Sequence, residues 1–217
     1  MEFKNPFLEE GNWFKGNIHI HTKNSDGSLT PFSNFLVIKE IEFIKNGFHI
    51  LGLNLNEIFD TENLSAQEII NKINKFGGFA VICHPYMSAL KSQQIISLSG
   101  FIGIEIYNNS CEKSKGKVYS NVHYDEILGD GYKIFCFAVD DAHSYFDEYR
   151  ENDLCGSFIM VKAKSLKKEE IVSSIKNGLF YSSTGVIIEN NEKYVRIEIT
   201  DKNNKKHGQI QYFYKGG

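Results

Sequence analysis

Arginine is almost missing from this chain: Arg150 and Arg196 are the only two in 217 residues. With a formal net charge of -3 there is no basic footprint to grip a phosphate backbone. Stable binding of duplex nucleic acid is therefore not expected, although a nucleotide or short oligonucleotide stays open as a substrate. There is no apolar run of the ~20 residues that a membrane-spanning helix needs, so no membrane partner is expected. The stretch Met1 to Phe14 mixes polar and aromatic residues without the charged-then-apolar layout of a secretory leader, and the expected location is cytoplasmic. The four cysteines show no Cys-x-x-Cys spacing. Cys83 and Cys136 stand in apolar runs and read as buried thiols, while Cys111 and Cys155 stand in polar loops. A nucleophilic Cys83 beside His84 is disfavoured, because neighbouring strand residues face opposite ways. Internal repeats and low-complexity tracts are also missing, and nothing in the sequence speaks to oligomeric state.

What is present is a set of ligand-type residues at the ends of apolar strands. Ile18 and Ile20 alternate with His19 and His21, so both imidazoles share one face of a strand over residues 17–21. Asp26 follows in a polar loop, where it either joins the histidines or caps its own Asp-Gly turn. Phe79 to Cys83 runs into His84, and Phe135 to Val139 runs into Asp140, Asp141 and His143. In parallel α/β folds functional side chains gather at the carboxyl ends of strands. Imidazoles mixed with carboxylates suit a divalent metal: zinc, iron, nickel or copper for the nitrogens, manganese or magnesium as carboxylates accumulate.

Between these motifs, 35–38 reads as a short strand continuing through Glu40 to Phe43, and Asn46-Gly47 as a turn into the strand Phe48 to Leu53. Ser65 and Glu68 form a capping box for a helix over 66–76 whose apolar face carries Ile69, Ile70 and Ile73. A helix over 86–98, a strand over 101–107 carrying Glu105, partial helix over 112–128, and strands over 133–139 and 157–163 follow. The helix 167–176 then leads into a last short strand from Phe180. This alternation predicts mainly parallel strands. Over residues 186–217 the pattern changes to strict alternation around a Lys/Asn-rich turn, which predicts an antiparallel β-hairpin appendage outside a domain spanning 1–185.

Together the motifs resemble the polymerase and histidinol phosphatase (PHP) family of metal-dependent phosphoesterases. The resemblance covers roughly residues 12–185. It rests on His19-Ile20-His21-Thr22 with Ser25-Asp26-Gly27-Ser28-Leu29-Thr30-Pro31, on Gly77-Gly78-Phe79-Ala80-Val81-Ile82-Cys83-His84-Pro85, on Asp141-Ala142-His143, and on Tyr181-Ser182-Ser183-Thr184-Gly185. It implies a distorted (β/α)7 barrel holding two or three divalent ions (manganese, iron or zinc) at its strand ends. Carried over, His19, His21, Glu42 and Asp141 hold one ion, and Glu42 bridges to a second that His84 and His49 complete. Asp26 and His143 belong to a third position. His143 and Asp26 are the candidate catalytic residues, with His143 offered as general acid, and Arg150 is the candidate contact for a substrate phosphate.

Two departures accompany the likeness. Glu40 stands where the family's Gly-x-Glu element has glycine. The family's helix and strand ending in Thr-Asp-His, expected between Pro31 and Leu36, have no room. Either a βα unit has been lost, which would open the barrel, or the sequence is a shortened form of a longer one. Loss of a barrel strand would cost more than a marginally stable domain can spare, which favours the second. The function expected is hydrolysis of a small phosphorylated metabolite, nucleotide or short oligonucleotide by metal-activated water. The alternatives are metal-dependent hydrolysis of an amide or other ester, or a non-catalytic module.

Overall fold

The computed structural model describes residues 3–27, 35–114, 116–143, 153–185 and 187. Its strands are β1 (Asn12–Gly16), β2 (Glu40–Lys45), β3 (Phe48–Leu53), β4 (Phe79–Ile82), β5 (Phe101–Asn108), β6 (Phe135–Val139), β7 (Phe158–Ala163) and β8 (Phe180–Ser183). Its α-helices are α1 (Ala66–Lys75), α2 (Ser92–Ile96), α3 (Asn109–Ser114), α4 (Asn121–Gly129) and α5 (Lys168–Lys176).

The expected (β/α)7 barrel is not what these strands build. Among the described residues they form two sheets, one of five strands in the order β2-β3-β4-β5-β6 and one of three in the order β1-β7-β8, with no closed barrel. The expectation of mainly parallel strands also fails: only β4–β5 and β5–β6 are parallel, and the other pairings are antiparallel. Chain length supplies one physical reason. A parallel pair needs a crossover of about a dozen residues or more, and only Asn46 and Gly47 join β2 to β3. Both take positive φ (52° and 80°), the requirement of a tight turn whose twist matches a hairpin.

Strands β3 to β6 of the five-stranded sheet carry buried side chains on both faces. On one, Ile50, Ala80, Ile82, Ile104, Ile106, Cys136 and Ala138 meet Ile69, Ile70 and Ile73 of α1 together with α2 and α4. On the other, Leu51, Val81, Phe135, Phe137 and Val139 meet Ile159, Val161 and Phe180 of the small sheet and Ile171, Val172 and Ile175 of α5. The period-2 alternation along β6 divides its side chains between the two cores. Phe137 and Phe180 stack at 4.8 Å across the junction of the sheets.

Several boundaries move. Residues 17–21 are not a regular strand; they contribute one parallel bridge, Ile20 to Ala142, while β1 lies just before them. Residues 35–38 carry no strand, and only Ser92–Ile96 of the helix expected over 86–98 forms. The capping box of α1 is present in both directions, with the Ser65 hydroxyl accepting from the Glu68 N–H and the Glu68 carboxylate accepting from the Ser65 N–H. Of the hairpin expected over 186–217, only Ile187 is among the described residues.

Candidate metal centre

The first motif is placed by backbone pairing with the last. The His21 N–H donates to the Ala142 carbonyl at 2.8 Å, and the Asp141 N–H donates to the His19 carbonyl at 2.9 Å. Residues 140–142 leave the end of β6, so this pairing brings His19, His21 and Asp141 to one end of the five-stranded sheet. His84 leaves the end of β4 on the same side. Both His84 (φ 24°) and Asp141 (φ 52°) adopt the left-handed backbone that non-glycine residues avoid, which is strain held where their side chains are aimed.

The geometry around His19 and His21 fixes their tautomers. His19 Nδ1 is 2.6 Å from Glu105 Oε1, and His21 Nδ1 is 2.7 Å from Asp26 Oδ1. A carboxylate oxygen only accepts, so each ring carries its proton on Nδ1 and turns the Nε2 lone pair the other way. Those two Nε2 atoms face each other at 3.1 Å. Asp141 Oδ1 lies 3.2 Å from the first and 3.1 Å from the second, and it is buried without a hydrogen-bond partner among the described residues. Three acceptors therefore converge on one point. Ligands of a tetrahedral ion about 2.0–2.1 Å from each would sit ~3.3 Å apart, so the spacing fits a divalent cation.

Glu42 stands between this trio and a second pair of histidines. Its Oε2 faces His21 Nε2 at 3.6 Å and His19 Nε2 at 4.0 Å, and its Oε1 faces His49 Nδ1 at 2.8 Å and His84 Nε2 at 3.3 Å. A carboxylate with one oxygen toward each group has the arrangement of a bridge. On the outer side, Asp26 reaches toward His143, with Oδ2 3.8 Å from Nε2, and the His143 ring stacks on His21 at 4.0 Å. His143 Nδ1 donates to the Asp141 carbonyl at 2.7 Å, which turns its Nε2 toward Asp26. Asp26 is 73 % exposed, whereas the rest of the cluster lies at or below the surface. Gly27 makes this loop possible, because a Cβ there would lie 2.5 Å from the His21 carbonyl carbon.

Electrostatics follow from this crowding. Burial works against charge on His19, yet Asp141 and Glu105 raise its pKa well above the ordinary histidine value. His21 and His84 are raised too, with burial opposed by Asp141 for the first and by Glu42 for the second. Burial of Glu42 is outweighed by hydrogen bonds from His49 and His84, which hold its carboxyl far below the usual range. Burial of Asp141 is outweighed in the same sense by His19 and His21. Glu40 goes the other way: burial pushes its carboxyl up to about 7, although it accepts a 2.7 Å hydrogen bond from the Ile20 N–H.

Thus His19, His21, Asp26, Glu42, His49, His84, Asp141 and His143, all named from sequence, come together, while Arg150 lies outside the described residues. Sequence reasoning missed three neighbours. Glu105 reads as a rim carboxylate, but it is 1 % exposed and bonded to His19. Asn108, from the same strand, donates to both Glu105 Oε2 and Asp141 Oδ2 at 3.0 Å. Cys83 does not point away from the site. The turn of backbone at His84 breaks the strand alternation, and Cys83, His84 and Glu42 offer atoms within 4.8 Å of one another. Burial drives the Cys83 thiol well above its ordinary pKa, so it is a poor nucleophile.

No family model and no curated protein matches the chain. Among solved structures it is similar to a two-domain protein from Bacteroides vulgatus containing a predicted PHP-like metal-dependent phosphoesterase, with a TM-score of 0.47 and 17% identity over 68% of this chain. The likeness spans 44% of that protein, less than half its length.

Proposed function

We propose that the chain is a metal-dependent hydrolase of phosphoric esters whose centre holds two or three divalent ions drawn from manganese, iron and zinc. The observation that carries the reading is the convergence of His19 Nε2, His21 Nε2 and Asp141 Oδ1, with no hydrogen-bond donor for the buried oxygen among the described residues. Three acceptors at such distances repel unless positive charge lies among them. The PHP-type motifs in the sequence support the same reading. His19, His21, Asp141 and Glu42 would hold one ion, Glu42, His49 and His84 a second, and Asp26 with His143 a third. The ions supply Lewis acidity that activates water near neutral pH and offsets negative charge developing on the ester oxygens.

The remaining work falls to the protein. Asp26 accepts from His21 Nδ1 and keeps that ring's Nε2 turned inward. His143, anchored by its Nδ1 bond to the Asp141 carbonyl, presents Nε2 at the mouth, where in its protonated form it can give a proton to the leaving alkoxide. A small phosphorylated metabolite, a nucleotide or a short oligonucleotide fits this chemistry, because a phosphate brings the oxygens that neighbouring ions share.

The test is turnover of generic phosphomonoesters and phosphodiesters by protein loaded with manganese, zinc or iron. Hydrolysis of either class that is abolished by chelator and falls at least about 100-fold in Asp141→Asn supports the reading. Hydrolysis confined to carboxylic esters or amides would move the activity to another substrate class. A loaded protein inert toward all of them would overturn the enzymatic reading.

A further inference from the structure

We propose that Glu105 is a positioning residue for this centre, fixing the His19 tautomer and tying together the strand ends that carry His84 and Asp141. The inference rests on the metal-dependent reading above. Glu105 lies near the C-terminal end of β5, between β4 and β6, and is 1 % exposed. Among the described residues its hydrogen-bond partners are donors: His19 Nδ1 at 2.6 Å on Oε1, the His84 backbone N–H at 2.9 Å on Oε2, and Asn108 Nδ2 at 3.0 Å on Oε2. The orientation of Asn108 is itself determined, since its Oδ1 accepts from the Cys111 N–H at 2.9 Å and so its amide nitrogen must face Glu105 and Asp141.

Only a residue that accepts at both oxygens satisfies this arrangement. Through Oε1 it holds the His19 proton on Nδ1 and thereby frees Nε2 toward Asp141 and His21. Through Oε2 it holds the left-handed backbone of His84, and through Asn108 it reaches the second oxygen of Asp141. Carboxylates placed behind a ligating histidine in this way are worth ~10–100-fold in metal affinity.

Glu105→Gln keeps the shape but replaces one acceptor with an amide that must confront a donor. Zinc affinity is read by competition with a chromophoric chelator, cobalt(II) absorption reports ligand geometry, and melting of the metal-free protein reports the fold. The expected result is ~10–100-fold weaker zinc and an altered cobalt spectrum in a variant that still melts cooperatively. In a His19→Ala background the same change should weaken zinc by a smaller factor than in the parent, because the route through His19 is gone while those through His84 and Asn108 remain. A folded Glu105→Gln protein that binds zinc within about twofold of the parent, with an unchanged cobalt spectrum, would overturn the proposal. Should that variant fail to fold, Glu105→Asp carries the test: its shorter carboxylate cannot span all the donors, so weakened zinc supports the role and parental affinity sinks it. A parent protein that binds no zinc, cobalt or manganese would overturn the metal-dependent reading, and this inference with it.

Discussion

Asp141 Oδ1 has two imidazole nitrogens about it at 3.1 and 3.2 Å and no hydrogen-bond donor among the described residues. Exchange of that one oxygen is therefore the sharpest residue-level perturbation. In Asp141→Asn an amide N–H can point at both nitrogens and quiet the repulsion without any cation. The variant should lose more than about 100-fold in metal affinity, and its metal-free form should differ less in melting between about pH 6 and pH 8 than the metal-free parent, because the charge that raises His19 and His21 is gone. Calorimetric titration with zinc and thermal scans at the two pH values check the two halves. Protonation gives a second prediction. His19, His21 and His84 have folded pKa values above the ordinary 6.5, so the stability they contribute is fully present below that value and is lost as pH rises through the folded values. Glu40, raised from 4.5 to about 7, adds a cost that grows across the interval between those two values. Metal-free protein should therefore melt lower at about pH 8 than at about pH 6, and Glu40→Gln should flatten part of that slope. Metal must displace the same histidine protons, so zinc uptake should release protons and tighten with rising pH, measurable by calorimetry in buffers of different ionisation enthalpy.

At the scale of elements, the best-read piece is α1. Its capping box and apolar stripe are both local, and both are found. Ser65→Ala should cost about 1 kcal/mol of stability in denaturant unfolding and leave metal affinity unchanged, since the cap bonds only its own helix. The placement of His84, Asp141 and His143 was legible for a similar reason: each follows the end of an apolar strand. Strand alternation served less well at its boundaries. It placed Cys83 away from His84 because it took the pleat to continue, whereas His84 leaves the strand with positive φ. It made Glu105 a rim carboxylate because nothing local says that a carboxylate between two apolar neighbours will be covered by β4 and β6 and bonded to a histidine 86 positions away.

The whole molecule shows where sequence pattern runs out. Strands alternating with helices suggested parallel pairing and a barrel, but direction is decided by connections. The Asn46-Gly47 turn, read correctly as a turn, already required β2 and β3 to be antiparallel. Which strands then divide into a five-stranded and a three-stranded sheet depends on long-range packing that no local signal carries. The junction of those sheets depends on stacked aromatics, so Phe137→Ala, opening a void beside Phe180, should lower stability by about 3–5 kcal/mol. That is a large part of the ~5–15 kcal/mol available to a domain, and its thermal unfolding should shift accordingly. Despite the open architecture, the ends of β4, β5 and β6 and the segment 17–21 still deliver the histidines and carboxylates to one place.

The direct measurement is metal stoichiometry by mass spectrometry on protein prepared without chelator, set beside Asp141→Asn. Two or more divalent ions per chain, falling in the variant, is the predicted result. No bound metal, even after manganese, zinc or iron is supplied, would contradict the account.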